Sequence, residues 1–205
     1  MKMFSSASGP QRDGTANAPD ATLAATLRPA AAWLFGKIPA HGDFISRGLD
    51  HATHELLDDW LSVEVARSRA RFADFDARYV QAPPWYFVDV DSAGAWSGGA
   101  LCLSVDKVGR RFPILVAAPA NRADTAREVA LAALELVFTT FSQGWDADQL
   151  ALALGSMPHA AWADGGSGPV PTQSVWAIEA DDGTRIEMTG RFPDGLIERM
   201  LEIAN

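Results

Sequence analysis

The 205-residue chain has one cysteine, Cys102, set in an apolar run. No disulfide can form within the chain, and a reducing compartment, the cytoplasm, is the expected setting. Long apolar runs are missing as well: Gly, Pro or charge interrupts every hydrophobic stretch short of the roughly 20 residues that a membrane-spanning helix needs. Basic residues are the minority, 17 against 26 acidic, and a formal charge of −9 repels phosphate backbones and anionic lipid. No nucleic-acid partner and no membrane span are expected. Residues 1–32 carry few large apolar side chains and no continuous apolar centre of the kind a signal peptide requires. Burial there is too small to offset the entropy of ordering the chain. The expectation is a disordered leader over 1–32 and one folded domain over 33–205, for which a hydrophobic content of 48% is ample.

Signatures of catalysis are scarce too. No G-x-S-x-G elbow occurs. Ser104-Val105-Asp106-Lys107 matches S-x-x-K, but that chemistry needs the serine at a helix N-terminus and a separate K-T-G strand, and the chain has no K-T-G. Gly165-Gly166-Ser167-Gly168 lacks the preceding strand and the following Lys-Ser/Thr of a P-loop. His51 and His54, with Asp58 nearby, fall short of the roughly four ligands of a closed metal site. Asp89 and Asp91 flank a strand end as paired carboxylates do in acid–base catalysis, yet solvated turn residues are the simpler reading. No cofactor and no metal is expected, and the chain is not read as an enzyme.

What is present is alternating apolar runs and turn residues. Trp33–Phe35 reads as a first strand stopped by Gly36 and Pro39, with a loop running on to about Asp50. Leu56, Leu57, Trp60, Leu61, Val63 and Val65 predict a helix from Thr53, its cap, to about Phe72. Strands follow at Trp85–Val90, Gly99–Val105 and Phe112–Ala118, joined by short turns that force antiparallel neighbours. Ala123–Phe141 is a helix started by Asp124 and Thr125, Leu150–Leu154 a short second one, and Gly165–Pro171 a surface loop. A hairpin over Ser174–Glu179 and Thr184–Met188, turning at Asp181–Gly183, and a helix from Pro193 to about Ile203 complete the chain. The class is α/β of the α+β type: a single domain with a mostly antiparallel central sheet flanked by helices.

One segment is far denser in special residues than the rest. Gly36-Lys37-Ile38-Pro39-Ala40-His41-Gly42-Asp43-Phe44 packs two glycines, a proline, a cation, an imidazole and a carboxylate into a single loop, a composition that specifies backbone shape. Gly42 suits a turn conformation closed to other residues, and Phe44 can anchor the loop in the core. Lys37, His41, Asp43 and Arg47 remain for polar contacts.

Continued through Ile45-Ser46-Arg47-Gly48, this segment resembles the opening motif of the TagF family, also called ImpM, the accessory proteins of bacterial type VI secretion systems. Ser68-Arg69, Pro84-Trp85-Tyr86-Phe87, Ser104-Val105-Asp106-Lys107-Val108-Gly109-Arg110-Arg111-Phe112-Pro113 and Ser174-Val175-Trp176 resemble the family's later motifs in the same order, over roughly residues 33–203. Ala40 stands where serine is frequent, Lys107 where arginine is frequent, and Ala177 where a second aromatic is usual. The resemblance implies a longin- or profilin-like fold and a post-translational repressor of secretion-system assembly or firing. It implies binding to the system's forkhead-associated scaffold protein, with any phosphatase of the kinase and phosphatase switch on a separate chain. On this reading the partner-facing or motif residues are Gly36, Lys37, Pro39, His41, Gly42, Asp43, Phe44 and Arg47, together with Ser104, Asp106, Gly109, Arg110, Phe112 and Pro113. Two alternatives stand beside it. The His41 and Asp43 loop, facing Arg110 and Arg111, can form the polar pocket of a small-ligand sensor or enzyme. Or the same residues hold the fold together, with Asp106 and Arg110 bridging to Lys37 or Asp43 as buried polar staples.

Overall fold

The computed structural model describes residues 31–91, 94–157, 173–179 and 183–204. Residues 1–30 of the expected 1–32 leader, the Gly165–Pro171 loop and the Asp181–Asp182 turn lie outside the described residues. Among the described residues, seven strands form one sheet in the order β2-β1-β5-β4-β3-β6-β7, and every neighbouring pair is antiparallel. The strands are β1 (Trp33–Gly36), β2 (Ile45–Arg47), β3 (Trp85–Val90), β4 (Trp96–Cys102), β5 (Ile114–Ala120), β6 (Val175–Glu179) and β7 (Arg185–Thr189). The helices are α1 (His51–Arg71), α2 (Phe75–Gln81), α3 (Ala123–Gln143), α4 (Ala147–Gly155) and α5 (Leu196–Ile203).

Strand alternation sends side chains to two cores. Leu34, Ala100, Cys102, Ile114, Val116 and Ala118 point to one face, where Val129, Ala133 and Val137 of α3 and Leu150 and Leu154 of α4 cover them. Phe35, Trp85, Phe87, Leu101, Leu115 and Trp176 point to the other, under Leu57 and Leu61 of α1, Phe75 and Tyr79 of α2, and Ile197, Met200 and Leu201 of α5. Helix α3 rests close on β4 because Gly98 has no side chain: a Cβ there would stand 1.9 Å from the carbonyl oxygen of Ala126.

Two short elements escape the sequence pattern. β2 has three residues and lies inside the expected Pro39–Asp50 loop; it gains its hydrogen bonds from β1, with Gly36 opposite Ile45. α2 buries only Phe75 and Tyr79, too few for a periodic signal. The meander is displaced by a few residues: β4 begins at Trp96 and ends at Cys102, and β5 begins at Ile114, because residues 103–113 are committed to the loop described below.

Helix α1 also differs from expectation. Its N-cap is Asp50, whose carboxylate accepts the Thr53 amide at 2.8 Å, and Thr53 lies in the first turn. Its buried stripe is Thr53, Leu57, Leu61, Glu64 and Ser68, whereas Val63 is 54% exposed. Glu64 is on that stripe for a tertiary reason. Helix α5 starts at Gly195, which has no capping side chain, and the Glu64 carboxylate supplies the missing acceptor, taking the amides of Gly195 at 2.9 Å and Ile197 at 3.2 Å.

Candidate functional site

The motif-rich loop follows β1. Gly36 has φ of 134°, and a Cβ on it would stand 2.0 Å from the carbonyl oxygen of Pro113, so the chain entering the neighbouring strand β5 comes too close for any side chain here. The next residue, Lys37, is buried; its ammonium lies 3.0 Å from Asp106 Oδ2 and 4.6 Å from the Phe44 ring centroid. Ile38-Pro39-Ala40-His41 closes a turn through the His41 amide and the Ile38 carbonyl at 3.1 Å, with Pro39 at the second position that such turns favour.

The β4–β5 connection meets this loop. Asp106 is the hub of a tight turn in which Gly109 has φ of 84°. Its Oδ1 accepts the amides of Val108 at 3.0 Å and Arg110 at 2.9 Å, and its Oδ2 accepts Arg110 Nε at 2.6 Å as well as Lys37. Burial of the Asp106 side chain would raise its carboxyl, but the Arg110 amide, the Lys37 ammonium, the Arg110 guanidinium and the Val108 amide outweigh that and hold it well below the usual carboxylate range. Arg110 reaches on to the Gly42 carbonyl and lies 3.8 Å from Asp43. The Lys107 amide donates to the His41 carbonyl at 2.7 Å. Lys37, His41, Gly42, Asp43, Asp106, Gly109 and Arg110 therefore form one assembly of two interlocked loops.

The remaining motif residues attach that assembly to the body. His41 Nε2 accepts the amide of Ala147, the first residue of α4, at 3.1 Å. Asp146 takes the next two amides of the helix, and Arg47 Nε bonds Asp148 at 2.7 Å. Ser104 is buried, and its backbone is gripped on both sides by the Tyr79 hydroxyl, which donates to the carbonyl at 3.0 Å and accepts the amide at 3.2 Å. Burial pushes the Tyr79 phenol up. The Ser104 hydroxyl donates to the Val105 carbonyl at 3.4 Å, and Lys107, the other end of the S-x-x-K match, is on the exposed turn. Phe112 and Pro113 are buried behind the turn.

Three expectations at this site are corrected. Gly42 does not have positive φ, and a Cβ there would meet nothing within 4 Å, so its glycine identity has no steric basis in this chain. Phe44 is 44% exposed: one side packs on Phe35 and Phe112, with centroids at 6.0 and 4.7 Å, and the rest faces out. Asp89 and Asp91 are not solvated turn residues, since both are buried. Asp91 Oδ1 accepts the Ala95 amide at 2.8 Å, while Asp89 accepts the Ser174 hydroxyl and pairs with Arg191 at 2.9 Å. The signal for Asp89 was visible as a lone acid inside WYFVDV; Arg191 carried none, because its partner is 102 positions away by the numbers of the pair. Among the described residues no group of three or more His, Cys, Asp or Glu is arranged to hold a metal, and no helix is long and apolar enough to cross a membrane.

The fold and the site together define a single-sheet α+β domain, helices on both faces, with two signature loops locked to each other by buried charge at one end of the sheet. The chain belongs to the TagF N-terminal domain family, which is type VI secretion system-associated; the family's model matches residues 33–154, more than half of the chain. The chain is similar in structure to PA0076 from Pseudomonas aeruginosa PAO1, known from a crystal structure, with a TM-score of 0.52 and 20% sequence identity over 83% of this chain and 94% of that one. At that identity the likeness is one of fold. No curated protein matches the chain.

Proposed function

We propose that this chain is a post-translational repressor of type VI secretion that acts in the cytoplasm by binding a protein, the forkhead-associated scaffold of the system, and that residues 33–205 act as one unit. Membership of a secretion-associated family supplies the context. The observation that carries the reading is the division of labour within the interlocked loops. Their buried charges satisfy one another, while Phe44, 44% exposed, and Val108, 70% exposed at the turn tip, present apolar surface beside Asp43, Lys107 and Arg110. A rigid scaffold with an apolar centre and a charged rim is the anatomy of a protein-binding patch. The enzyme or sensor reading of His41 and Asp43 is less favoured, because one imidazole nitrogen, Nε2, is already engaged by the Ala147 amide. A formal charge of −9 disfavours a nucleic-acid partner.

The test is direct association of the purified chain with the co-encoded forkhead-associated protein by calorimetry, paired with secretion in a deletion strain. A stoichiometric complex and increased secretion on deletion are expected. No complex, together with unchanged secretion, would overturn the proposal.

A further inference from the structure

The sheet face opposite α3 carries a second feature, remote from the signature loops in its chemistry. Ser97 on β4 lies opposite Asp89 on β3, and Ser174 sits one residue before β6. These three residues form a polar row across the end of an otherwise apolar sheet, and all three are buried. Asp89 accepts the Ser174 hydroxyl on one oxygen and Arg191 on the other at 2.9 Å. Arg191 is held in turn, since its carbonyl accepts the Trp176 indole N–H at 3.2 Å.

A cavity lies above this row. Its walls are aromatic: Trp33, Phe87, Trp176 and Phe192. Leu49, Asp50 and Thr53, where the chain enters α1, line it as well. The Phe87 and Trp176 rings are 4.5 Å apart between centroids, and Trp60 packs behind them against Trp176 and Phe192 at 5.7 and 5.2 Å. Ser174, Trp176, Arg191 and Phe192 fall outside the span 33–154 that matches the family model, so the cavity is completed by the rest of the chain.

We propose that this cavity binds a small organic cation: an amine whose apolar body lies between the aromatic walls and whose ammonium donates to Asp89. Three charged side chains line the space, Asp50, Asp89 and Arg191, and they leave one net negative charge. An ionised carboxylate has about four acceptor positions, and Asp89 uses two in its bonds to Ser174 and Arg191. Four aromatic rings line the space, and an aromatic ring face attracts a cation but gives an anion nothing. Apolar and aromatic walls combined with a small set of polar groups are the usual form of a small-molecule pocket. This inference is independent of the protein-binding reading above.

The experiment is tryptophan fluorescence and calorimetry of the full chain with 2-phenylethylamine, phenylacetate and 2-phenylethanol, which share a body and differ in the head. The amine is expected to quench fluorescence saturably and to bind at least about tenfold tighter than the carboxylate. Asp89→Asn should bring the amine and the alcohol to within about twofold of each other. Because that variant also removes the charge that Arg191 pairs with, Leu49→Trp provides a second arm: it puts a bulky ring into the lining, leaves the ion pair intact, and should abolish amine binding with an unchanged circular dichroism spectrum. The proposal is overturned if the amine does not bind at millimolar concentration, if phenylacetate binds as tightly, or if a folded Leu49→Trp protein binds the amine as well as the parent does.

Discussion

The ammonium of Lys37 and the carboxylate of Asp106, 69 positions apart in sequence, meet at 3.0 Å with almost no exposure of either side chain. A lysine buried next to a carboxylate is tolerated only while its partner is charged and in place. This pair fastens the loop after β1 to the turn before β5, and so fixes where the exposed residues of both loops stand.

Replacing Asp106 by Asn should therefore lower Tm by roughly 10 °C, because Lys37 is left buried without its counter-charge. The pH dependence has a defined sign. The Asp106 carboxyl is depressed in the folded protein from its ordinary value of 3.8, so its contribution is full above that value and is lost as pH falls through and below it. Thermal melts of the parent from pH 7 down to pH 3 should show a loss in the acid range that is shallower in Asp106→Asn. Parallel profiles would refute the role assigned to this carboxylate.

Glu64 should behave as a cap supplied from another helix. Glu64→Ala leaves the amides of Gly195 and Ile197 without an acceptor and is expected to destabilise by about 2–3 kcal/mol in urea unfolding. Glu64→Gln, which retains one acceptor oxygen, should lose about half of that.

The close approach of α3 to β4 makes Gly98 intolerant of any side chain. Gly98→Ala places a methyl 1.9 Å from the Ala126 carbonyl oxygen, and backbone on both sides has to move. A destabilisation of about 3 kcal/mol is expected, whereas Gly42→Ala, where a Cβ meets nothing, should stay within about 0.5 kcal/mol of the parent.

Burial pushes the Cys102 thiol up to about 12, so almost no thiolate exists at neutral pH. Native protein at pH 8 should not react with a thiol reagent on the minute scale, and reaction should become rapid in urea. Prompt labelling of the native chain would show that the α3 side of the sheet opens readily.

Val108 tests the protein-binding proposal without disturbing the fold. At 70% exposure on the turn tip it contributes little burial, so Val108→Asp should leave Tm within about 2 °C. Affinity for the forkhead-associated protein, measured by calorimetry, should fall by at least about tenfold. Unchanged affinity would place the interface elsewhere on the chain.

Local pattern was enough to read much of the architecture. Trp85–Val90 is a strand at both levels, and α3 begins at Ala123 as expected, because apolar alternation and helical spacing are encoded by near neighbours. The composition of residues 36–44 likewise sets that loop apart, and together with the later motifs it carries the resemblance to the family that the chain belongs to. Partners were the part that local pattern could not supply. Apart from the Lys37 and Asp106 staple, which the loop composition offered as one alternative, Glu64 and the α5 amides, His41 and the Ala147 amide, and Asp89 with Arg191 are each joined across many positions by the folded chain. A charged residue reads as a solvated one until its counter-charge is brought to it, which is why Asp89 looks like a turn residue in the sequence and Arg191 carries no signal. Periodicity and turn chemistry act over a few residues and are written in the sequence; the pairing of buried charge depends on which distant segments the sheet order brings together, and the tertiary structure alone decided that.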